Sequence, residues 1–307
     1  MRPLPLTVLA LIAATPALAE APSVLTDTGP VHSLVSMVMG DLGQPALIVP
    51  QGTSPHDASL APSEAAALAE ADLIVWTGPR FLPWLGEAID ALAPQAERLA
   101  LLDAPGWETL PAREGADLHA QGEEDHAEDD QEQPAGGIDP HAWLDPAVAS
   151  AWLAPIAKAL AEADPANAAA YRANAVAASA RLDALGADVA ARLAPFAGSG
   201  YAVGHDAYQY LERAGGLPAN WAIAPSDASS PAPSTIAALR DAVVSGEVRC
   251  LLIDAETSPD WAATLGEGTD LRTAVVDPDG VFLAPGPDLY PTMIEGLVAA
   301  LEGCLAP

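Results

Sequence analysis

The sequence predicts an α/β protein with two lobes of parallel-type sheet, each flanked by helices, joined by one long rigid helix. Two observations support this fold class. Short apolar runs alternate with segments of helical periodicity, which is typical of βα units and parallel sheets. A helical pattern of about 30 residues also lies halfway along the 307-residue chain. Since 50% of the residues are hydrophobic, the chain can form one large or two medium domains.

The predicted strands are short apolar segments bounded by turn residues. They lie at residues 22–28, 45–50, 72–78, 97–103, 200–204, 220–224, 248–254 and 272–277. Helical spacing of apolar residues occupies the segments between them, at residues 62–71, 146–163, 234–246 and 290–305. This alternation predicts two successive α/β units.

The long helix is predicted over residues 164–195. Asp164 suits an N-cap, Pro165 suits the first helical position, and Pro195 ends the pattern. A helix of this length spans about 45 Å, more than an ordinary βαβ crossover requires. We therefore divide the mature chain into an N-terminal lobe (20–163), a linking helix (164–195) and a C-terminal lobe (196–307). The alternative is a long surface helix within one domain.

Its buried face is predicted from apolar residues that recur every three or four positions. These are Tyr171, Ala175, Ala178, Leu182, Leu185, Val189 and Leu193.

Residues 1–19 are predicted to be a secretory signal peptide. Arg2 precedes an apolar stretch over residues 6–13, and the small residues ending at Ala19 suit cleavage before Glu20. The apolar run is shorter than the roughly 20 residues that span a bilayer. The mature protein is therefore expected to be exported and soluble.

A segment of about residues 112–137 differs in composition from the rest of the chain. It contains nine acids and no Lys or Arg between Glu114 and Glu132, so we predict a disordered insertion. The whole chain has a formal net charge of −30, which excludes nucleic acid and anionic membrane surfaces as partners. That charge suits a protein that gathers cations, or alternatively a solvated acidic surface.

The two cysteines, Cys250 and Cys304, predict one disulfide in an exported protein. This bond would join the C-terminal helix to a neighbouring strand. The alternative is a pair of free thiols.

Four dispersed residues form a candidate metal site. His56 and His205 follow predicted strands, Asp277 ends another, and His141 opens the helix after the insertion. Ligands of open α/β sheets bind beyond the carboxyl ends of the strands. Three imidazoles and one carboxylate form a tetrahedral set suited to Zn²⁺. The wide spacing leaves surface or helix-capping roles for these histidines as the alternative.

Several motifs resemble one known family across essentially the whole mature chain. The segments "GTSPHDASLAPSEAAALAEADLIVWTGPRFLPWL", "DPHAWLDP" and "GHDAYQYLERAGGL" resemble the ZnuA-like solute-binding proteins. The resemblance implies a periplasmic, high-affinity zinc receptor that delivers Zn²⁺ to the permease of an ABC importer in the inner membrane. It implies a monomer with no enzymatic activity, and metal held in the cleft between the lobes.

The family's ligand positions match His56, His141, His205 and Asp277 in this sequence. Trp143 is expected to pack behind His141. The insertion resembles the charged, histidine-rich loop of zinc-type members, although it contains only His119 and His126. These two residues are either a weak auxiliary zinc site or part of a solvated linker.

Three other functions remain open on the sequence. A manganese or iron receptor would share the fold, but imidazole in place of carboxylate favours Zn²⁺. A secreted zinc hydrolase would need an open position for water and a general base, and no HExxH motif is present. A chaperone that hands zinc to another exported protein would use the same site residues.

Overall fold

The computed structural model describes residues 21–113, 137–218, 221–224, 231–255 and 257–306. Within them lie two four-stranded parallel sheets with the orders β2-β1-β3-β4 and β6-β5-β7-β8. The strands of the first sheet are β1 (Val24–Thr26), β2 (Ala46–Leu47), β3 (Leu73–Trp76) and β4 (Glu97–Ala100). Those of the second are β5 (Gly200–His205), β6 (Trp221–Ala224), β7 (Val248–Ile253) and β8 (Arg272–Val275). The two-lobed α/β fold predicted from the sequence is confirmed.

Helices connect the strands and cover the sheets. Those of the N-terminal half are α1 (Gly29–Met39), α2 (Pro62–Ala69), α3 (Pro83–Leu92) and α4 (Pro146–Ala163). The remaining helices are α5 (Ala168–Leu193), α6 (Gln209–Gly215), α7 (Pro233–Ser245), α8 (Asp260–Gly266) and α9 (Leu289–Leu305). Several begin with proline, because a residue without an N–H loses no hydrogen bond in the first turn.

The long central helix is α5, with a 3₁₀ turn at either end, Pro165–Asn167 and Ala194–Phe196. All seven apolar positions of its predicted face are buried. The α-helix proper begins at Ala168 rather than directly after Asp164. The Asp164 carboxylate accepts hydrogen bonds from the Asn167 amide at 2.7 Å and the Tyr171 hydroxyl at 2.9 Å.

One continuous hydrophobic core joins the two sheets, and a smaller one lies on the other face of the second sheet. The joining residues come from α1, α4, α5 and α9. Tyr290 of α9 fixes this arrangement with two hydrogen bonds. Its N–H donates to the Ser33 hydroxyl of α1 at 3.0 Å, and its hydroxyl donates to the Trp143 carbonyl at 2.7 Å. Other contacts besides α5 therefore connect the lobes.

The predicted disulfide is confirmed. Cys250 of β7 is bonded to Cys304 of α9, with their Cα atoms 5.5 Å apart. The bond ties the C-terminal helix to the second sheet, and both residues are buried.

Two sequence predictions lie outside the described residues. These are the signal peptide at residues 1–19 and most of the acidic insertion, including His119 and His126. In the described part of the chain, no helix is both long and apolar enough to cross a membrane.

Candidate metal centre

His141 is held rigidly at the entrance to α4. The backbone N–H of His141 donates to Asp139 Oδ1 at 2.9 Å, and the same oxygen lies 2.9 Å from His141 Nδ1. Both side chains are buried. Because the carboxylate accepts the Nδ1 proton, the imidazole must use Nε2 to ligate a metal.

His205, at the end of β5, also lies beside a buried carboxylate. Its Nδ1 lies 3.0 Å from Asp254 Oδ2. Asp254 directly follows β7, the strand beside β5, so the two residues meet at the carboxyl edge of the second sheet. The other oxygen of Asp254 accepts hydrogen bonds from the Thr257 N–H at 2.9 Å and hydroxyl at 2.7 Å. Asp254 is therefore fixed before it orients His205.

Phe81 contacts two of the three candidate histidines. Its ring is 4.9 Å from the ring of His56 and 5.8 Å from that of His141, centroid to centroid. The His141 ring is in turn 5.6 Å from that of His205. Trp143 packs against His141 at 5.4 Å, as predicted, and is fully buried. The fold thus gathers imidazoles from residues that are far apart in the sequence.

Asp277 lies outside this series of ring contacts. Its two carboxylate oxygens accept the backbone N–H groups of Val281 at 2.9 Å and Phe282 at 3.0 Å, which closes the turn after β8. The adjacent Pro278 carbonyl accepts the indole N–H of Trp143 at 2.9 Å. Among the described residues, no three His, Cys, Asp or Glu side chains already form a group that could hold a metal. Asp277 as a ligand stays a prediction.

A cavity of about 560 Å³ adjoins His56 and His141. His56, His141, Phe81, Arg80, Arg113 and Asp206 are among the residues that line it. It lies at the boundary between the lobes, since Asp206 follows β5 of the second sheet while the others come from the N-terminal half.

Arg113 binds two buried acids across this boundary. Its guanidinium donates to both oxygens of Asp206, with Nε–Oδ2 at 2.9 Å, and to Glu212 Oε2 at 2.7 Å. The side chain of Arg113 is 9% exposed, that of Asp206 4% and that of Glu212 5%. Burial alone would lower the pKa of Arg113, but the two carboxylates raise it above its usual value. Burial raises the pKa of Asp206, and Arg113 opposes that effect.

The base of the acidic insertion is fixed beside the histidines. An antiparallel bridge pairs Pro111 with Ile138, and the Asp139 N–H donates to the Leu110 carbonyl at 2.9 Å. The Leu110 N–H donates to the Tyr210 hydroxyl of α6 at 2.8 Å. The insertion therefore leaves and rejoins the fold next to the residue that orients His141.

Sequence reasoning missed Asp139, Asp254, Phe81 and Arg113. Asp254 carried a usable signal, because it ends an apolar run just as Asp277 does. Asp139 carried a weaker one, its position two residues before His141. The contacts of Phe81 and Arg113 depend on tertiary packing, and no local pattern indicates them.

The chain has clear relatives. Residues 24–304 match the family described as "Zinc-uptake complex component A periplasmic". The chain is 38% identical over 315 residues to the high-affinity zinc uptake system protein ZnuA of Paracoccus denitrificans (strain Pd 1222), covering 95% of this chain and 94% of that protein. The protein of the same name from Brucella suis biovar 1 (strain 1330) is 37% identical over 312 residues, and the match covers 94% of this chain and 92% of that protein.

A solved structure described as the crystal structure of ZnuA superposes with a TM-score of 0.76 at 22% identity. The superposition covers 93% of this chain and 100% of the ZnuA chain. This likeness shows a shared fold.

Proposed function

This chain belongs to the ZnuA family of periplasmic zinc-uptake components, and we propose that it is a high-affinity periplasmic receptor that delivers Zn²⁺ to an ABC importer. The observation that carries the proposal is the pairing of two buried histidines with two buried carboxylates. His141 and His205 each present Nδ1 to an aspartate at about 3 Å. Histidines that ligate metals in proteins commonly have such a carboxylate partner on the other ring nitrogen.

His56, His141 and His205 are the proposed imidazole ligands. Phe81 contacts the rings of His56 and His141, and the His141 ring lies beside that of His205. We propose that side-chain rotation on binding brings the Nε2 atoms of His141 and His205 and a ring nitrogen of His56 to one ion. Asp277 is the proposed fourth ligand, because carboxylate oxygens keep further lone pairs when each accepts one N–H. Neutral imidazoles with one carboxylate favour Zn²⁺ over Mn²⁺, and the curated relatives are named for zinc uptake.

Family membership also supports a proposal for the partner and the assembly. We propose an inner-membrane permease as the docking partner and a monomer as the working form. A receptor role requires no covalent chemistry. The secreted zinc hydrolase is disfavoured because the family is one of uptake components.

Calorimetric titration of the metal-free mature protein with Zn²⁺ tests the proposal. We expect one tight site in the wild type and loss of that site in His56→Ala, His141→Ala and His205→Ala. Asp277→Asn should weaken the site by a smaller factor. Competition with Mn²⁺ should leave zinc bound. Unchanged zinc affinity in His141→Ala and His205→Ala would refute the assignment.

His119 and His126 are proposed to form a weaker auxiliary zinc site in the insertion. The double variant His119→Ala/His126→Ala is the matched control for the titration above, because it removes imidazoles outside the main site. It should keep the tight site and lose any weak binding. Deleting residues 114–136 should have the same effect. If neither change alters stoichiometry or transfer to the importer, the segment is a linker.

A further inference from the structure

Asp206 places a carboxylate that is outside the proposed ligand set beside the proposed zinc ligands. It directly follows His205, the last residue of β5, and it lines the same cavity as His56 and His141. Its side chain is buried. An aspartate in this place has the charge and the oxygen donors to bind a divalent cation. The contacts of Asp206 therefore bear on which metal the site accepts.

Arg113 binds both oxygens of this carboxylate. Its Nε donates to Asp206 Oδ2 at 2.9 Å, and a second guanidinium nitrogen donates to Oδ1. The third nitrogen donates to Glu212 Oε2 at 2.7 Å, which anchors the guanidinium to α6. Bidentate, charge-assisted pairs of this kind are among the stronger hydrogen bonds in proteins, and they depend on the planar fork of arginine. The oxygens of Asp206 are therefore directed to a cation that belongs to the protein.

The backbone that carries Arg113 is fixed as well. The N–H of the preceding residue, Ala112, donates to the Gly137 carbonyl at 3.0 Å. Two residues after Gly137, the carboxylate of Asp139 accepts the backbone N–H of His141 at 2.9 Å. The position of Arg113 is thus tied to the segment that positions a proposed ligand.

Three acids line the cavity within the described part of the chain, and they differ in what they contact. These are Asp57, Asp139 and Asp206. Asp57 is exposed. Asp139 is buried and lies 2.9 Å from Nδ1 of His141, so it orients a ligand. Asp206 is buried and is held by a guanidinium, which neutralises the carboxylate without turning it toward the histidines.

We propose that Arg113 determines the metal specificity of the site by keeping the Asp206 carboxylate from binding the metal. This inference rests on the proposed zinc-receptor function and adds the residue that sets its selectivity. Three imidazoles and one carboxylate suit Zn²⁺ in four-coordinate geometry. A further carboxylate would add hard oxygen donors, which Mn²⁺ favours in a six-coordinate shell. Arg113 therefore disfavours Mn²⁺ by withholding an oxygen ligand, and it does so without contacting the ion.

The dissociation constants of Zn²⁺ and Mn²⁺ test the proposal. Both are measured by calorimetry, with a competing chelator for zinc, on the metal-free mature wild type, Arg113→Gln, Arg113→Lys and Arg113→Gln/Asp206→Asn. In Arg113→Gln the freed carboxylate should lower the ratio of Kd for Mn²⁺ to Kd for Zn²⁺ by at least ~10-fold, the scale on which neighbours of metal ligands act. Arg113→Lys keeps the charge without the fork, so its ratio should fall less. The double variant should recover the wild-type ratio, because the carboxylate is gone.

Arg213→Gln is the matched control. Arg213 donates to the buried carboxylate of Asp145 at 2.9 Å, so this variant also separates a buried acid from its arginine. Neither residue is among the described residues that line the cavity. The ratio of the two dissociation constants should therefore equal that of the wild type.

The visible spectrum of the Co²⁺-substituted proteins gives a second readout that a loss of stability would not change. An added carboxylate raises the coordination number of a tetrahedral Co²⁺ ion and weakens its visible absorption. The bands should weaken in Arg113→Gln and recover in the double variant. Circular dichroism establishes that each variant is folded, and Arg113→Lys carries both comparisons if Arg113→Gln does not fold.

The outcomes separate the two proposals. If the folded Arg113 variants keep the wild-type ratio, or if Asp206→Asn does not restore a lowered ratio, Arg113 does not act through Asp206. The inference is then wrong and the receptor function stands. If the wild type does not bind zinc, the proposed function fails and this inference fails with it.

Discussion

A single carboxylate oxygen of Asp139 accepts both the backbone N–H of His141 and its ring Nδ1, each at 2.9 Å. One aspartate therefore fixes the position and the tautomer of the imidazole two residues later. Asp254, which follows the neighbouring strand, places Oδ2 3.0 Å from the ring Nδ1 of His205. Neither aspartate belongs to the proposed ligand set, yet both determine which ring nitrogen can meet the metal.

We predict that Asp139→Asn and Asp254→Asn each weaken zinc binding by about 10–100-fold without changing its stoichiometry. The reason is that an amide orients the imidazole less firmly and makes it less basic. Competition with a fluorescent chelator measures the affinity, and ¹⁵N spectra of the imidazoles report the tautomer. Asp90→Asn, at a surface aspartate paired with Arg98, is the matched control. If all three variants bind zinc with equal affinity, Asp139 and Asp254 do not orient the histidines.

Arg113→Met should destabilise the fold by about 3–5 kcal/mol, because it leaves two buried carboxylates without their cation. The matched change is Arg98→Met. Arg98 pairs with Asp90 at the surface, where the two side chains are 34% and 74% exposed respectively. Loss of this ion pair should therefore cost at most about 1 kcal/mol of stability. Urea denaturation of the metal-free proteins gives both values. Similar losses in the two variants would show that the buried cluster contributes no more than a surface pair.

We expect the buried carboxyl group of Asp27 to make the stability of the fold depend on pH, whether or not metal is bound. Complete burial raises its pKa from 3.8 to about 6, opposed by hydrogen bonds from the backbone N–H groups of Thr77 and Thr28. From about pH 4 to pH 6, the folded protein holds a proton that the unfolded chain has released. Rising pH therefore lowers the stability contribution of this residue across that window, by up to about 3 kcal/mol.

The comparison of wild type with Asp27→Asn isolates this effect, since other titrating groups act equally in both proteins. The stability of the wild type relative to the variant should be greatest near pH 4 and should decline until about pH 6. Denaturation curves at several pH values measure the difference. A difference that stays constant over this range would mean that Asp27 titrates normally.

Replacing both cysteines, as Cys250→Ser/Cys304→Ser, should lower the free energy of unfolding by up to about 4 kcal/mol. The bond closes a loop across 54 residues, and its loss restores conformational entropy to the unfolded chain. Zinc stoichiometry should not change, because neither cysteine lines the cavity beside the histidines. Thermal unfolding with and without reductant provides the same comparison in the wild type. A stability unaffected by either treatment would contradict the prediction.

Much of the fold was predictable because its signals are local. Each predicted strand overlaps an observed one, although β2 is only two residues long and β5 extends one residue beyond its prediction. The seven apolar positions of α5 are buried as their spacing predicted. The long helix begins at Pro165 as predicted, but its first turn is 3₁₀ because the side chain of Asp164 bonds Asn167 and Tyr171 there. Turn geometry of this kind depends on side-chain hydrogen bonds that hydrophobic spacing does not report.

The sequence by itself determined the fold class, the cysteine pairing and the candidate histidines, because hydrophobic periodicity and residue type carry that information along the chain. The tertiary structure decided which groups meet these histidines. The pairing of Asp254 with His205 requires β7 to lie beside β5, and the contact of Phe81 with His56 and His141 requires three distant segments to converge. Such contacts arise from strand order and core packing, which link residues without regard to their separation in the sequence.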